Sequence, residues 1–140
     1  MVRISNLELI RILLTNSRIK YSELARRLGV SETAVRKRIR QLEEDKVIRR
    51  YTIDVDPKRL GFDIDAIIGI DTEPEYYVHI LDRLSEMDQV ISVYSSSGDH
   101  MILIRAWFED HSRLRDFVKR LEGMEGITKV CPATIIDRIK

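Results

Sequence analysis

The sequence predicts an α+β chain in two parts, a helical first part and a second part in which strands alternate with helices. Apolar residues recur at helical spacing through residues 5–42, and period-two runs typical of strands appear only later in the chain. The charge divides in a similar way. Residues 1–60 hold 15 Lys and Arg against 8 Asp and Glu, or +7, whereas residues 61–140 hold 9 against 15, or −6. A basic first part indicates a polyanionic partner.

Length and composition limit the number of domains and the class of protein that the chain can form. A chain of 140 residues forms one ordinary domain or two small ones, and 44% hydrophobic residues are enough for a packed core. The apolar runs stay well short of the roughly 20 residues that a membrane span needs, and the N-terminus has no signal-peptide layout. We therefore expect a cytoplasmic protein without a membrane partner. The single cysteine, Cys131, excludes an intrachain disulfide framework.

Two short helices joined by a tight turn are predicted for Tyr21–Leu42. Ser22 is suited to cap the first helix, because its hydroxyl can accept a bond from an unpaired backbone N–H. Gly29 is suited to end that helix, since a chain often leaves a helix through a left-handed conformation that costs glycine little. Ser31 is suited to cap the second helix. With a preceding helix over residues 5–16 as a cover, the pair is typical of a helix-turn-helix unit.

The second helix of this unit has two different sides at about 100° per residue. The apolar side consists of Val35, Ile39 and Leu42. The opposite side consists of Thr33, Arg36, Lys37 and Arg40. A recognition helix in the major groove of DNA needs this division, so the second set is the predicted DNA-binding surface, with Arg suited to bases and Lys to phosphate. An ordinary amphipathic helix with a solvated basic face is the alternative.

Residues beside this surface have competing interpretations. Ser22 and Ser31 are also predicted DNA-binding residues, because a helix start can donate hydrogen bonds to phosphate, although capping alone accounts for both. Arg38 lies nearer the apolar edge of its helix, which favours a structural ion pair over a DNA contact.

A linking segment follows the helix pair. Val47–Val55 alternates apolar and polar residues with period two, which predicts a strand, either a wing or a linking strand. Asp56-Pro57 and Leu60-Gly61 then punctuate the chain. The predicted divisions are a winged-helix-like DNA-binding domain over 1–46, a linking strand and hinge over 47–62, and a second domain over 63–140.

The second domain shows six alternating elements. Strand patterns cover Asp63–Thr72, Val90–Ser97, Met101–Phe108 and Ile127–Ile139, with a break expected at Pro132. Helix patterns begin near Pro74 and Asp110. The order βαββαβ predicts a ferredoxin-like domain, in which both helices cover one face of a four-stranded sheet.

The other face of that sheet is predicted to be apolar and uncovered within one chain. It would hold Ile67 and either the Ile102/Ile104 set or the Met101/Leu103 set. An exposed apolar patch of this kind marks an interface, so we expect at least a homodimer. A symmetric dimer carries two recognition helices, which suits a pseudo-palindromic DNA site.

These features resemble the Lrp/AsnC family of transcription regulators, also called feast/famine regulatory proteins. The matching stretches are LIRILLTNSRIKYSELARRLGVS and ETAVRKRIRQLEEDKVI, followed by a ferredoxin-like effector domain with Gly98 in its middle hairpin. The resemblance covers essentially the whole chain, although Asn6 stands where the family usually has Asp. It implies a sequence-specific regulator that binds double-stranded DNA, is not an enzyme, and is built from dimers that often assemble into octamers. Many members bind an amino acid between the effector domains of neighbouring dimers.

The same resemblance implies an effector site around the middle hairpin. Gly98-Asp99 is a hairpin turn signal, and Asp99 and His100 are suited to hold the amino or carboxylate group of an amino acid. Thr134 matches a position that often lies near this pocket in the family. Met101 stands where the family usually has an acid, which leaves the identity of the effector open. A solvated turn and an ordinary strand threonine are the alternatives.

Two other function classes are less well supported. RNA-recognition domains share the βαββαβ order, but Tyr94 and Trp107 do not make an aromatic-rich strand, and the basic charge lies elsewhere in the chain. A small acylphosphatase-like enzyme would need a phosphate-binding loop or paired catalytic residues. His79, His100, His111 and Cys131 have no metal-ligand spacing. We therefore predict no catalytic residue, no metal site and no cofactor other than an amino-acid effector.

Overall fold

The computed structural model describes residues 3–140, which divide into two compact units, one that ends at Asp54 and one that runs Val55–Lys140. The first unit consists of three helices: α1 (Asn6–Thr15), α2 (Tyr21–Leu28) and α3 (Glu32–Glu44). Their apolar sides meet in one helical core, whose buried side chains are Ile4, Leu9, Leu24, Ala25, Val35, Ile39 and Leu42. Burial of this apolar area holds the three helices together.

Local signals fix where these helices begin and end. The Ser31 hydroxyl accepts a hydrogen bond from a backbone N–H of α3 at 3.1 Å, and Gly29 ends α2 with φ +67, both as predicted. The capping prediction for Ser22 is wrong, because α2 begins at Tyr21 and its N-cap is Lys20, which makes no side-chain cap bond. Tyr21 packs against the helical core, so the helix starts before the serine.

The segment after α3 is not a strand. The predicted strand Val47–Val55 forms no ladder within residues 3–140. A strand needs a neighbour with which it exchanges backbone hydrogen bonds, and the one sheet among the described residues lies in the second unit. The period-two pattern therefore has no strand partner in the described part of the chain, and Tyr51 and Ile53 expose large apolar side chains.

A four-stranded antiparallel sheet forms the centre of the second unit, with strand order β2-β3-β1-β4. The elements are β1 (Ile64–Thr72), α4 (Tyr77–Ser85), β2 (Val90–Ser95), β3 (Ile102–Phe108), α5 (His111–Glu122) and β4 (Ile127–Thr134). This order confirms the predicted ferredoxin-like domain. Within residues 3–140, no helix combines the length and the apolar character that crossing a bilayer requires.

The two faces of the sheet have different surroundings. Ile102 and Ile104 are buried in a core that also includes residues of α4 and α5. On the opposite side, Ile67 and Tyr94 are 42% and 60% exposed, and Leu103 is half-buried. Of the two predicted sets, Ile102/Ile104 is therefore the buried one, whereas Leu103 of the other set lies outward and Met101 packs against the core. We call this side the open face and define it by Ile67, Tyr94, Leu103, Arg105 and Trp107.

The last strand differs from its predicted bounds. β4 ends at Thr134 rather than Ile139, because the N–H of Ile135 makes the final bond to β1, at the carbonyl of Asp65. The predicted break at Pro132 is also wrong, since β4 continues through it. β4 is an edge strand, and a proline there needs no ladder bond when its nitrogen faces away from the sheet.

Candidate nucleic-acid interface and effector turn

The exposed side of α3 is the candidate nucleic-acid interface of the first unit. Val35, Ile39 and Leu42 of this helix are buried in the helical core. The opposite side presents the exposed side chains of Thr33, Arg36, Lys37 and Arg40. The helix is thus held by one edge and directs three cations to solvent, which is the geometry that entry into a major groove requires.

The neighbouring helix α2 uses its cations differently. Arg26 and Arg27 both contact the Glu23 carboxylate, at 2.5 and 3.2 Å. The hydrogen bond from Arg26, followed by that from Arg27, lowers the pKa of Glu23 to about 2, so this carboxylate stays ionised at neutral pH. A phosphate group would compete with Glu23 for these two arginines. Within the α2–α3 pair, the positive charge offered to a polyanion is therefore greatest on α3.

The two serine candidates lie at helix starts but in different settings. Ser31 is exposed, and its hydroxyl already accepts the capping bond of α3. Ser22 is exposed in the first turn of α2, where it is not the N-cap. Both sit where unpaired backbone N–H groups favour an anion. Contact of either serine with DNA stays a prediction.

Two side chains from elsewhere in the unit contact α3. Arg38 is half-buried and donates to Asn6 Oδ1 at 2.8 Å. The predicted ion pair is therefore a hydrogen bond to an amide, because Asn6 carries no charge. The Arg36 guanidinium carbon lies 5.2 Å from the centroid of the Tyr21 ring. Tyr21 was not among the predicted site residues, since the periodicity of α3 carries no information about the start of α2.

The connection between β2 and β3 holds the three predicted turn residues of the effector site. Gly98 is exposed with φ +118, a conformation that favours glycine, and Asp99 is exposed as well. His100 is half-buried, and its ring lies over Gly69 of β1, where an added Cβ would overlap it. Its Nδ1 lies 3.0 Å from Asp71 Oδ2. The imidazole is therefore fixed against β1, one of the two inner strands of the sheet.

Asp71 anchors this turn, although it was not among the predicted site residues. In addition to its contact with His100, it accepts a bond from the backbone N–H of Met101 at 3.0 Å. Burial acts to raise the pKa of Asp71, but the bonds with His100 and Met101 outweigh it and hold the pKa below its ordinary value. Asp71 thus places a carboxylate of β1 at the backbone of Met101, in addition to the exposed carboxylate of Asp99 in the turn. The available signal was a charged residue inside an apolar strand pattern.

Thr134 lies apart from the turn. It pairs with Ala66, five residues from Asp71 along β1, or roughly 17 Å at the rise of a strand. Paired residues of neighbouring strands share a face, and Ala66 is part of the core below α4 and α5. The ring of His100 lies over Gly69, whose partner on β3, Leu103, belongs to the open face. One chain therefore presents the four predicted effector residues as two separate pieces.

Trp107 borders a cavity of about 440 Å³ at the end of the sheet away from this turn. Its ring centroid lies 5.9 Å from that of Phe62, and the Arg105 guanidinium carbon lies 5.8 Å from it. Its Nε1 is buried and has no hydrogen-bond partner among residues 3–140. In the same part of the chain, no three His, Cys, Asp or Glu side chains are grouped as metal ligands.

Comparison with known proteins gives matches over both units. Residues 5–43 match the AsnC-type helix-turn-helix domain and residues 65–140 match the Lrp/AsnC ligand binding domain. The chain is 43% identical to the HTH-type transcriptional regulator LrpA of Pyrococcus horikoshii over 133 residues, 94% of each chain. An AsnC family transcriptional regulator from Agrobacterium tumefaciens matches at 30% identity and a TM-score of 0.79, covering 98% of this chain and 93% of that one. A transcriptional regulator from Neisseria meningitidis, solved with L-Met, shares the fold at 20% identity and a TM-score of 0.85, over 99% and 93%.

Proposed function

Since the chain belongs to the Lrp/AsnC family of transcriptional regulators, we propose that α3 recognises a duplex DNA sequence while the second unit assembles copies of the chain and binds a small metabolite. The family matches confirm the resemblance inferred from the sequence. The chain is a transcriptional regulator with a helix-turn-helix DNA-binding domain and a ligand-binding domain, and its family is not one of enzymes. No match supports the RNA-binding alternative.

The division of α3 into a buried side and a cationic side is the observation that carries the DNA proposal. The proposed contacts on this side are Thr33, Arg36, Lys37 and Arg40. Ser22 and Ser31, at the starts of the two helices, are proposed to meet phosphate groups through their hydroxyls or the backbone beside them. Phosphate contacts position the helix, and contacts to base edges in the major groove provide sequence recognition.

Affinity for a DNA site selected by the full chain from a random pool tests this assignment. Replacing both Lys37 and Arg40 with Ala should weaken binding by about tenfold or more, because the phosphate contacts supply much of the affinity. Arg115→Ala with Lys119→Ala is the matched control, since it removes the same charge from the exposed side of α5. Equal losses in the two variants would mean that the whole surface, and not α3, attracts DNA.

We propose a homodimer, and from it a higher oligomer such as an octamer, on the basis of two unpartnered features. The open face exposes apolar area that includes Ile67 and Tyr94. The segment Val47–Val55 has a sequence that alternates with period two, but it forms no ladder among the described residues. A second copy of the chain would cover the apolar face and give the segment a backbone partner.

Light scattering of the purified full chain measures this assembly. Ile67→Lys should shift the protein toward monomers, because a charge placed on a buried apolar interface loses its hydration. Val78→Lys is the matched control, since Val78 is 67% exposed on α4 and lies outside both features. A monomeric wild-type protein would contradict the proposal, and so would an Ile67→Lys variant that assembles as the wild type does.

An amino acid is the proposed effector class, with Gly98, Asp99, His100 and Thr134 as the proposed contacts. The ligand-binding domain match over residues 65–140 and the L-Met complex of the Neisseria protein support this class. Because the turn and Thr134 form two separate pieces in one chain, a ligand that touches both has to lie between chains. The turn of one subunit and the Thr134 strand end of another are the proposed halves of the site.

Thermal shift with each of the twenty amino acids tests the effector proposal. A ligand that binds the native oligomer and not the unfolded chain raises the melting temperature by mass action. Asp99→Ala should remove that shift, whereas Glu109→Ala, an exposed acid outside the turn, should retain it. The absence of a shift with all twenty amino acids would refute this effector class.

We also propose that the protein works in the cytoplasm, because its DNA partner determines where it acts. The AsnC-type helix-turn-helix match over residues 5–43 supports DNA as that partner. Crosslinking of the chain to chromosomal DNA in intact cells would support this location, and recovery of the chain outside the cell would contradict it.

A further inference from the structure

Tyr21 and Arg36 form a contact that joins the two helices of the helix-turn-helix unit. Tyr21 is the first residue of α2, and Arg36 lies in the second turn of α3. The guanidinium carbon of Arg36 is 5.2 Å from the centroid of the Tyr21 ring. At this distance the electron-rich face of the ring attracts the cation and favours a limited set of guanidinium orientations.

The ring of Tyr21 is itself held in place. It is partly buried against the helical core of the first unit. A ring packed against this core gives Arg36 a stationary surface, and the guanidinium is therefore restrained before any DNA arrives.

The three cations on the exposed side of α3 differ in this restraint. Within residues 3–140, contacts between a cation and an aromatic ring join Arg36 to Tyr21 and Arg105 to Trp107. Lys37 and Arg40 therefore have no such surface in the described chain. A long side chain that is restrained beforehand loses less rotamer entropy when it forms directional bonds. Attraction to a phosphate group depends less on orientation than recognition of a base edge does.

We propose that Tyr21 is a positioning residue that fixes the Arg36 guanidinium for a two-bond contact with a guanine, while Lys37 and Arg40 hold phosphate. The planar guanidinium matches the O6 and N7 acceptors that guanine presents in the major groove. Tyr21 itself does not touch DNA in this arrangement. This inference rests on the proposed DNA-binding function of α3. It identifies Arg36 as the residue that gives α3 its preference for a DNA sequence.

Two substitutions distinguish the contribution of the Tyr21 ring to DNA affinity from that of its hydroxyl. Tyr21→Phe keeps the ring, whereas Tyr21→Leu keeps apolar bulk without a ring. On the selected DNA site, Tyr21→Leu should weaken binding by about two- to fivefold, and Tyr21→Phe should stay close to the wild type. On random-sequence DNA both variants should bind as the wild type does, because that affinity comes from phosphate contacts. Equal losses for Phe and Leu, or equal losses on both DNAs, would overturn the proposal.

An Arg36→Ala background shows whether Tyr21 acts through Arg36. In that background Tyr21→Leu should cause no further loss of affinity for the selected site, because the interaction between the two residues is already gone. If Tyr21→Leu causes the same loss with and without Arg36, then Tyr21 acts by another route and the proposal is wrong.

A measurement on the free full chain distinguishes this proposal from the proposed function. In spectra of isotope-labelled arginine, the Nε–Hε signal of Arg36 should carry a ring-current shift in the wild type and in Tyr21→Phe, and lose it in Tyr21→Leu. Loss of that shift without loss of selected-site affinity would reject the positioning role alone. A wild-type chain that shows the shift but prefers no DNA sequence would reject the proposed function and, with it, the positioning role.

Discussion

The exposed side of α3 and the turn between β2 and β3 are both candidate binding surfaces, but they are built in different ways. On α3 the candidate side chains belong to one continuous helix, so their spacing alone brings them together. At the turn, His100 is held by Asp71, which lies 29 positions earlier in the chain, and Thr134 of β4 pairs with the other end of β1. A helical surface is thus a local property, whereas a surface made from several strands depends on their register.

The same difference explains which parts of the fold the sequence predicted. The burial of Val35 and Ile39 follows from helical periodicity, and the βαββαβ order follows from alternating patterns. Strand pairing is not local, and the bounds predicted for strands were wrong where pairing decides them; the Ser22 cap was the wrong prediction that concerned a local signal. The period-two pattern over residues 47–55 has no partner within residues 3–140. The residues after Thr134 were predicted as strand, but the N–H of Ile135 makes the last bond to β1, and the described residues beyond it form no ladder with β1.

The residues of the candidate sites also fall into those that a local pattern indicated and those that depend on packing between elements. The pattern of α3 indicated its exposed cations, but it could not show that Tyr21 lies against Arg36. The hairpin signal indicated Gly98 and Asp99, but it could not show that His100 lies over Gly69. Each missing contact joins residues of different elements, and only the packed structure fixes such contacts.

The largest expected effect comes from breaking the buried side of α3. Ile39→Asp should destabilise the first unit by about 4 kcal/mol, because it places an unpaired charge at a position that is 2% exposed. Circular dichroism should show loss of helix and gel shift should show loss of DNA binding. Leu14→Asp, at an exposed position of α1, is the control and should keep both. A folded Ile39→Asp variant would contradict the assigned core.

A smaller effect is expected from breaking the packing at the turn. Gly69→Ala should lower the free energy of unfolding by about 1 to 3 kcal/mol, because the new Cβ would overlap the His100 ring. The control is Gly123→Ala, where the nearest atoms lie at 3.5 Å or beyond and φ is −82. Thermal unfolding compares the two. If Gly69→Ala is as stable as Gly123→Ala, the ring of His100 is not held over β1.

The smallest effect concerns the pH dependence of the same turn. The pKa of Asp71 is lower in the folded chain than its ordinary value. Its ionised form therefore contributes stability that is present above the unfolded pKa and is lost as the pH falls through the folded pKa. Denaturant unfolding of the wild type should weaken more steeply below about pH 4 than that of Asp71→Asn. Parallel curves would show that the contacts with His100 and Met101 do not stabilise the carboxylate.

The salt dependence of DNA affinity tests the central claim, that the exposed side of α3 is the DNA-binding surface, most directly. For the full chain on its selected site, the logarithm of the association constant should fall linearly with the logarithm of salt concentration. Lys37→Ala with Arg40→Ala should reduce this slope by about two per bound subunit, since about one counterion is released for each phosphate contact. The control, Arg115→Ala with Lys119→Ala, should leave the slope unchanged. A slope that is the same in all three proteins would contradict the assignment of α3 to DNA.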